Sequence, residues 1–202
     1  MRWKKLQGRC RFSFCSVIRW YYYKYWKRVV MGKNKKLDRS FYQMHADMLA
    51  PALLGKLLCR KMDGKVVRVR ITETECYMGE SDTACHAAKG RTKRTSVLYA
   101  VGGTIYVYLC YGIHEMLNVV AGEEDYPEAV LIRGVDDTFG PGRVTKSLGI
   151  TRALNDRDLC DSEELWIEDD GYTPSYHTAP RVGIGYASKE DQQRLWRFIA
   201  DE

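Results

Sequence analysis

The run Lys65 to Tyr77, KVVRVRITETECY, sets apolar Val66, Val69 and Ile71 among polar partners over a long β-branched stretch. Such alternation fits a half-buried strand and cannot lay one apolar stripe along a helix. A second run, Thr104 to Tyr111 (TIYVYLCY), is β-branched and aromatic and reads as another strand. Asn118-Val119-Val120, Ala129 to Arg133, Leu165 to Glu168 and Arg181 to Gly185 read as further strands, and residues 78–103 as loops. Two short helices are expected over 38–60. Asp38 or Ser40 would cap the first, and Pro51 would start the second. Leu49, Leu53, Leu54, Leu57 and Leu58 form an apolar core stripe there, and Gly140-Pro141-Gly142 opens a helix to about Leu148. Strands outnumber helices and most connections are short. The expected fold is a single α+β domain with a curved, mainly antiparallel, barrel-like sheet and flanking short helices. A chain of 202 residues, 45% hydrophobic and 29% charged, can bury a core of that kind.

The net charge of +6 is split along the chain. Residues 1–36 carry 12 basic side chains and no acidic one; residues 37–202 carry 20 basic and 26 acidic. Residues 1–36 therefore read as a basic, aromatic leader, and 37–202 as the working domain. Phe12 to Trp26 is interrupted by Arg19 and Lys24 and is too short and too charged for a membrane span or signal peptide. Three readings of the leader stay open: a disordered tail or sequence upstream of a true start at Met31, a nucleic-acid arm, or a membrane-surface segment. The seven cysteines, at 10, 15, 59, 76, 85, 110 and 160, form no CxxC pair. Cys76, Cys85 and His86 lack a fourth ligand at usable spacing, so no metal is expected. Reduced thiols in an intracellular protein fit this pattern better.

Two segments gather chemically useful groups. Glu73, Glu75 and Tyr77 share one strand face, with His86 following; Tyr106 and Tyr108 share another, with Asn118 following. An acid flanked by aromatics could hold a planar ring beside a general base. The ordinary alternative is that strand tyrosines pack and strand glutamates face solvent.

The ordered set ITETECYMGESDTACHAAKGRTKRTSVLYAVGGTIYVYLCYGIHEMLNVVA, AVLIRGV at 129–135, GPGRVTKSLGI at 140–150 and PRVGIG at 180–185 resembles the 3-methyladenine DNA glycosylase family, alkyladenine type. The likeness spans about residues 38–199. It implies a monofunctional enzyme that flips alkylated or deaminated purines out of double-stranded DNA and hydrolyses their N-glycosidic bond. The lesion class is 3-methyladenine, hypoxanthine and ethenoadenine. No cofactor, no metal and no membrane are implied, and a monomer, cytoplasmic or at the nucleoid of a bacterium, is expected. Glu75 matches the general base and Arg133 a group that holds Glu75 and the water, keeping the acid ionised. Tyr77 and His86 match one side of the base pocket, Tyr108 the opposite face, and Asn118 the residue that rejects guanine. Tyr111 matches the wedge that fills the space left by the base. A second aromatic of that loop is His114 here, and the segment between Gly134 and Gly140 is shorter than is common in the family. Lys89, Arg91, Lys93 and Arg94 are expected on the DNA backbone, with Arg143 and Lys146 as secondary contacts. Glu123, Glu124, Asp125 and the acidic stretch Asp161–Asp170 should be solvated and face away from DNA. A non-catalytic binder of damaged DNA, or a hydrolase of free nucleosides, would use part of the same set.

Overall fold

The long alternating run forms one strand, β3 (Lys65–Tyr77), and the rest of the protein is arranged around it. The computed structural model describes residues 34–201; the readings of the leader before Asn34 lie outside the described residues. The other strands are β1 (Lys35–Lys36), β2 (Leu57–Met62), β4 (Ile105–Cys110), β5 (His114–Ala121), β6 (Glu128–Val135), β7 (Thr138–Phe139), β8 (Leu165–Asp169), β9 (Tyr176–Ala179) and β10 (Arg197–Ala200). Among the described residues, α-helices run over α1 (Arg39–Tyr42), α2 (Ala46–Leu53), α3 (Pro141–Ser147) and α4 (Lys189–Gln193).

The sheet is antiparallel in the order β1-β8-β2-β3-β6-β5-β4, with β10 also on β3, β9 on β10 and β7 on β6. The α+β domain and mainly antiparallel sheet are as expected; among the described residues the two ends of the sheet do not pair, so it does not close into a barrel. Strand β3 works as a hinge-pin between two halves. Lys65 to Arg70 pair with β2, while residues from Ile71 onward pair with β6 and, at Glu73 to Glu75, with β10. Two register slips, between Ile71 and Glu73 and between Glu73 and Thr74, mark the change. Bulges of this kind bend a strand and re-aim its side chains.

Helix α2 packs Leu49 and Leu53 on the sheet beside Tyr42, Leu58, Ile71 and Ile132, all fully buried. Thr74 Oγ1 donates to the Ala50 carbonyl at 2.9 Å, tying α2 to β3. The N-terminus of α2 meets the buried Glu128, whose carboxylate accepts from Ala46 N–H at 2.8 Å. A carboxylate is favourable where unpaired helix N–H groups point outward.

Several expectations are corrected. Pro51 lies inside α2 instead of opening a helix, and Leu57 and Leu58 have already left for β2. Asp38 occupies the cap position of α1 without a side-chain cap bond; it accepts from Ser40 Oγ at 2.6 Å instead. Residues 181–185 are irregular, not a strand. The acidic stretch Asp161–Asp170 is not simply solvated. Glu164 pairs with Arg60 and Arg157, Glu168 with Arg68, Asp169 with Lys56 and Asp170 with Arg70. Lys35 and Lys36, assigned to the leader by charge, form β1 against β8.

Leu53→Ala removes a fully buried side chain at the α2–β3 contact. It should lower unfolding free energy by about 2–5 kcal/mol, read as a shifted urea midpoint at constant slope.

Candidate active site

The C-terminal end of β3 carries the site. Glu75 is fully buried on the sheet face shared with Glu73 and Tyr77. Its two oxygens have separate partners. Oε1 accepts from the Val182 backbone N–H at 2.8 Å, and Oε2 from the Tyr77 hydroxyl at 2.9 Å. Arg133 comes from β6, with Nη1 3.4 Å from Glu75 Oε1 and Nε 3.1 Å from Glu73 Oε1. Arg197 from β10 places Nη1 3.1 Å from the same Glu73 oxygen. Arg133 and the acid thus lie together, and burial and the Arg133 charge act on the carboxyl in opposite directions. Burial drives the Glu75 carboxyl above its ordinary value of 4.5. The Arg133 charge and the hydrogen bonds from Val182 and Tyr77 pull it down without cancelling that effect.

The Val182 amide reaches Glu75 because Arg181 is locked beside it. Arg181 and Asp82 are both fully buried and pair through two bonds of 2.5 and 2.9 Å. Arg181 Nη1 also donates to the Cys76 carbonyl at 3.0 Å, between Glu75 and Tyr77. Its guanidinium lies 4.8 Å from the Tyr77 ring centroid and 4.9 Å from that of Trp196. One Tyr77 face therefore already holds a cation.

The aromatic wall forms next to this. His86 and Tyr108 meet edge to face at 4.4 Å, and Tyr106 lies 5.5 Å from Tyr108. Tyr77 and Tyr108 pack on one small apolar cluster that includes Cys85, Ala87 and Tyr99. His86 Nδ1 lies 3.0 Å from the Tyr106 hydroxyl, and Arg94 Nη2 lies 3.3 Å from His86 Nε2. A guanidinium can only donate, so Nε2 carries the lone pair and Nδ1–H donates to Tyr106. Burial and the Arg94 charge push His86 down to about 4, so it is neutral at pH 7. Arg94 also covers Tyr108, 5.6 Å from the centroid.

Asn118 is buried at the matching height of β5, donating to the Tyr106 and Met116 carbonyls at 3.2 and 3.3 Å. Tyr111 stands apart from this cluster, at the tip of the β4–β5 hairpin. It is 87% exposed, with φ 49° followed by Gly112 at φ 73°. His114 flanks it and rests on Gly142; a Cβ there would lie 3.1 Å from the imidazole. Lys89, Arg91 and Lys93 lie together on one stretch and Arg143 and Lys146 on α3, all exposed. Arg91 is paired with Asp125 at 3.0 Å and lies over Tyr99. Asp125 therefore stands beside this loop, itself solvent-exposed.

The full-site geometry can be set against known proteins. The chain matches the Methylpurine-DNA glycosylase (MPG) family over residues 40–138 and 134–202. The chain belongs to that family. It is 43% identical over 179 residues to a protein of Borreliella afzelii, covering 82% of this chain and 96% of that one. A Psychrobacter cryohalolentis protein is 40% identical over 190 residues, with 79% and 89% covered. A Methanocella arvoryzae protein is 41% identical over 182 residues, with 80% and 90% covered. All three are named as candidate 3-methyladenine DNA glycosylases.

Sequence reasoning missed Glu73 as an ion-pair partner, Arg197, the Val182 amide and the Arg181–Asp82 pair. The spacing of Glu73 and Glu75 was the one available signal. Arg181, Val182 and Arg197 come from segments more than 100 residues away in sequence, which no local pattern links to β3.

The raised Glu75 pKa carries a stability consequence. A carboxyl whose folded value exceeds its unfolded one favours the fold in its protonated form. That contribution is fully present below the ordinary value of 4.5 and is lost as pH rises through the folded value. Glu75→Gln keeps an acceptor for Val182 and removes the buried charge. It should melt higher than the parent at pH 7, with the gap closing as pH falls toward 4.5, measured by thermal denaturation across pH.

Proposed function

We propose that the chain is a monofunctional DNA glycosylase that hydrolyses the N-glycosidic bond of alkylated or deaminated purines rotated out of duplex DNA. The 3-methyladenine, hypoxanthine and ethenoadenine class is the substrate range in this reading. The observation that carries it is a fully buried Glu75, both oxygens hydrogen-bonded, beside Arg133 and next to a wall of Tyr77, His86 and Tyr108.

A base inside a duplex is out of reach, and extruding it costs a few kcal/mol. Tyr111, on its exposed hairpin tip, is suited to fill the gap; base–aromatic stacking is worth about 1–3 kcal/mol. The extruded base lies against Tyr108 and His86. Arg94, a planar cation, already lies over Tyr108 and donates to the His86 lone pair. A ring-alkylated purine is likewise planar and cationic, and it would displace Arg94 from that place. Asn118, buried beside Tyr106, limits the room for an exocyclic amine.

Water oxygen then bonds to the sugar C1′ as the bond from C1′ to the base nitrogen breaks. The bonding pair leaves with the base; a cationic alkylated ring is thereby neutralised, and a neutral base such as hypoxanthine or ethenoadenine leaves as an anion that takes up one proton from solvent, equal to the one Glu75 receives. Glu75 takes the water proton, and its raised pKa brings it closer to the strength a base needs at neutral pH. Its negative charge also opposes the positive charge that develops on the sugar. No lysine is assigned a nucleophilic role, so the strand stays intact.

Duplexes with a single ethenoadenine or hypoxanthine, and methylated DNA, should release free base without strand scission. Glu75→Gln should lower the single-turnover rate on the order of 10²-fold or more while lesion binding persists. Tyr111→Ala should weaken lesion-duplex binding. A non-catalytic binder would show no release and no effect of Glu75→Gln.

A further inference from the structure

The mechanism above leaves the buried acid that shares Arg133 with Glu75 without a task. Glu73, two residues before Glu75, is 8% exposed. Its Oε1 accepts from Arg133 Nε and from Arg197 Nη1, each at 3.1 Å. The sheet makes room for it. The register slips on both sides of Glu73, and the residue opposite is Gly134. A Cβ on Gly134 would stand 3.0 Å from the Glu73 Cβ.

A guanidinium next to a carboxylate ordinarily forms a two-bonded fork, with N···O distances of about 2.7–2.9 Å. Arg133 does not form one with Glu75. Its Nε is held by Glu73, and its Nη1 stands 3.4 Å from Glu75 Oε1. The close contacts of Glu75 are instead the Val182 N–H and the Tyr77 hydroxyl.

We propose that Glu73 is a positioning residue for the glycosylase reaction. Braced by Arg197, it holds Arg133 near Glu75 while preventing a fork onto the carboxylate that must receive the water proton. The inference rests on the reading of Glu75 as the base. Without the Glu73 charge, Arg133 turns onto Glu75 and occupies the lone pair that the proton needs. Two guanidinium charges would also be left beside a sugar that is itself becoming positive. The charged and titratable groups around Glu75 are Glu73 and Tyr77 on β3, Arg133 on β6, Arg197 on β10 and, against the Tyr77 ring, the paired Arg181 and Asp82; the Val182 amide adds a fixed dipole. Burial is the main cause of the upward shift of Glu75, and the Glu73 charge acts in the same direction.

The test is the pH dependence of single-turnover base release from lesion duplex, measured for the full chain and for Glu73→Gln, Arg197→Gln and Glu75→Gln. Gln at 73 keeps the size and an acceptor oxygen but not the charge. The plateau rate of Glu73→Gln should fall on the order of tenfold or more. Its acidic limb should move to lower pH by about half a unit or more. Arg197→Gln should move the limb the opposite way, because it removes a positive charge. Thermal melts accompany each variant. If Glu73→Gln melts early, Arg197→Gln, at a more exposed position, carries the measurement. A limb that stays at the wild-type pH in a variant that melts like the wild type overturns the proposal. An inactive Glu75→Gln alongside that result leaves the base assignment standing. If Glu75→Gln keeps the wild-type rate, the base assignment fails, and the role of Glu73 fails with it.

Discussion

Placing a carboxylate out of water at the end of β3 is the constraint around which the surrounding residues are organised. Desolvating an ion costs several kcal/mol in a real protein, and only well-aimed partners offset it. Glu75 has such partners on every side: a backbone N–H, a phenol and an arginine. Each is itself held. The Val182 amide belongs to an irregular segment fixed by Arg181, and Arg181 is fixed by Asp82. Asp82 also accepts from the Met78 and Ala84 amides, so the loop after β3 is shaped by the same group. Asp191 at α4 extends the chain of support by accepting from Thr83. Removing the buried acid would leave much of this polar scaffold without a purpose.

Parts of this plan were legible in the residues. Alternation located β3 at its observed bounds, because period-2 patterning over so long a run has no helical equivalent. The aromatic run of β4 was equally clear. Pattern failed where local and tertiary preferences compete. Pro51 suggested a helix start, yet a proline sits in α2 with the Leu54 N–H reaching its carbonyl as the helix ends. Residues 181–185 looked like a strand, but Arg181 is drawn inward by Asp82 and no strand pairs there. The two segments that hold Glu75, Tyr77, His86 and Tyr108 were legible in the residues. That Arg133 would be shared between two acids was not, since it depends on the register slip in β3 and on Arg197 arriving from the far end of the chain.

Charge tells a related story. Residues 37–202 carry more acids than bases, so any attraction to DNA has to be local. Much of the acidic surplus near β8 is consumed by Lys56, Arg60, Arg68 and Arg70. This pairing stitches β2, β3 and β8 together and mutes the negative field of that edge. The loop from Lys89 to Arg94 differs in kind. Arg91 is tethered to Asp125, and Arg94 turns to the aromatic wall, so only part of its charge faces solvent unopposed.

The hairpin tip bears on how such a protein can change. A side chain with a Cβ resists the left-handed backbone of Tyr111, at a cost of roughly 1–2 kcal/mol, and most of its ring surface finds no compensating contact within the protein. Judged by folding alone, glycine would serve better at this position. If Tyr111 is the wedge proposed above, selection for stability and selection for activity pull this residue in opposite directions. Under that proposal, a lineage released from the need to act on duplex DNA would drift here early, while the buried acid and its supports, bound into the core, would be the last to go.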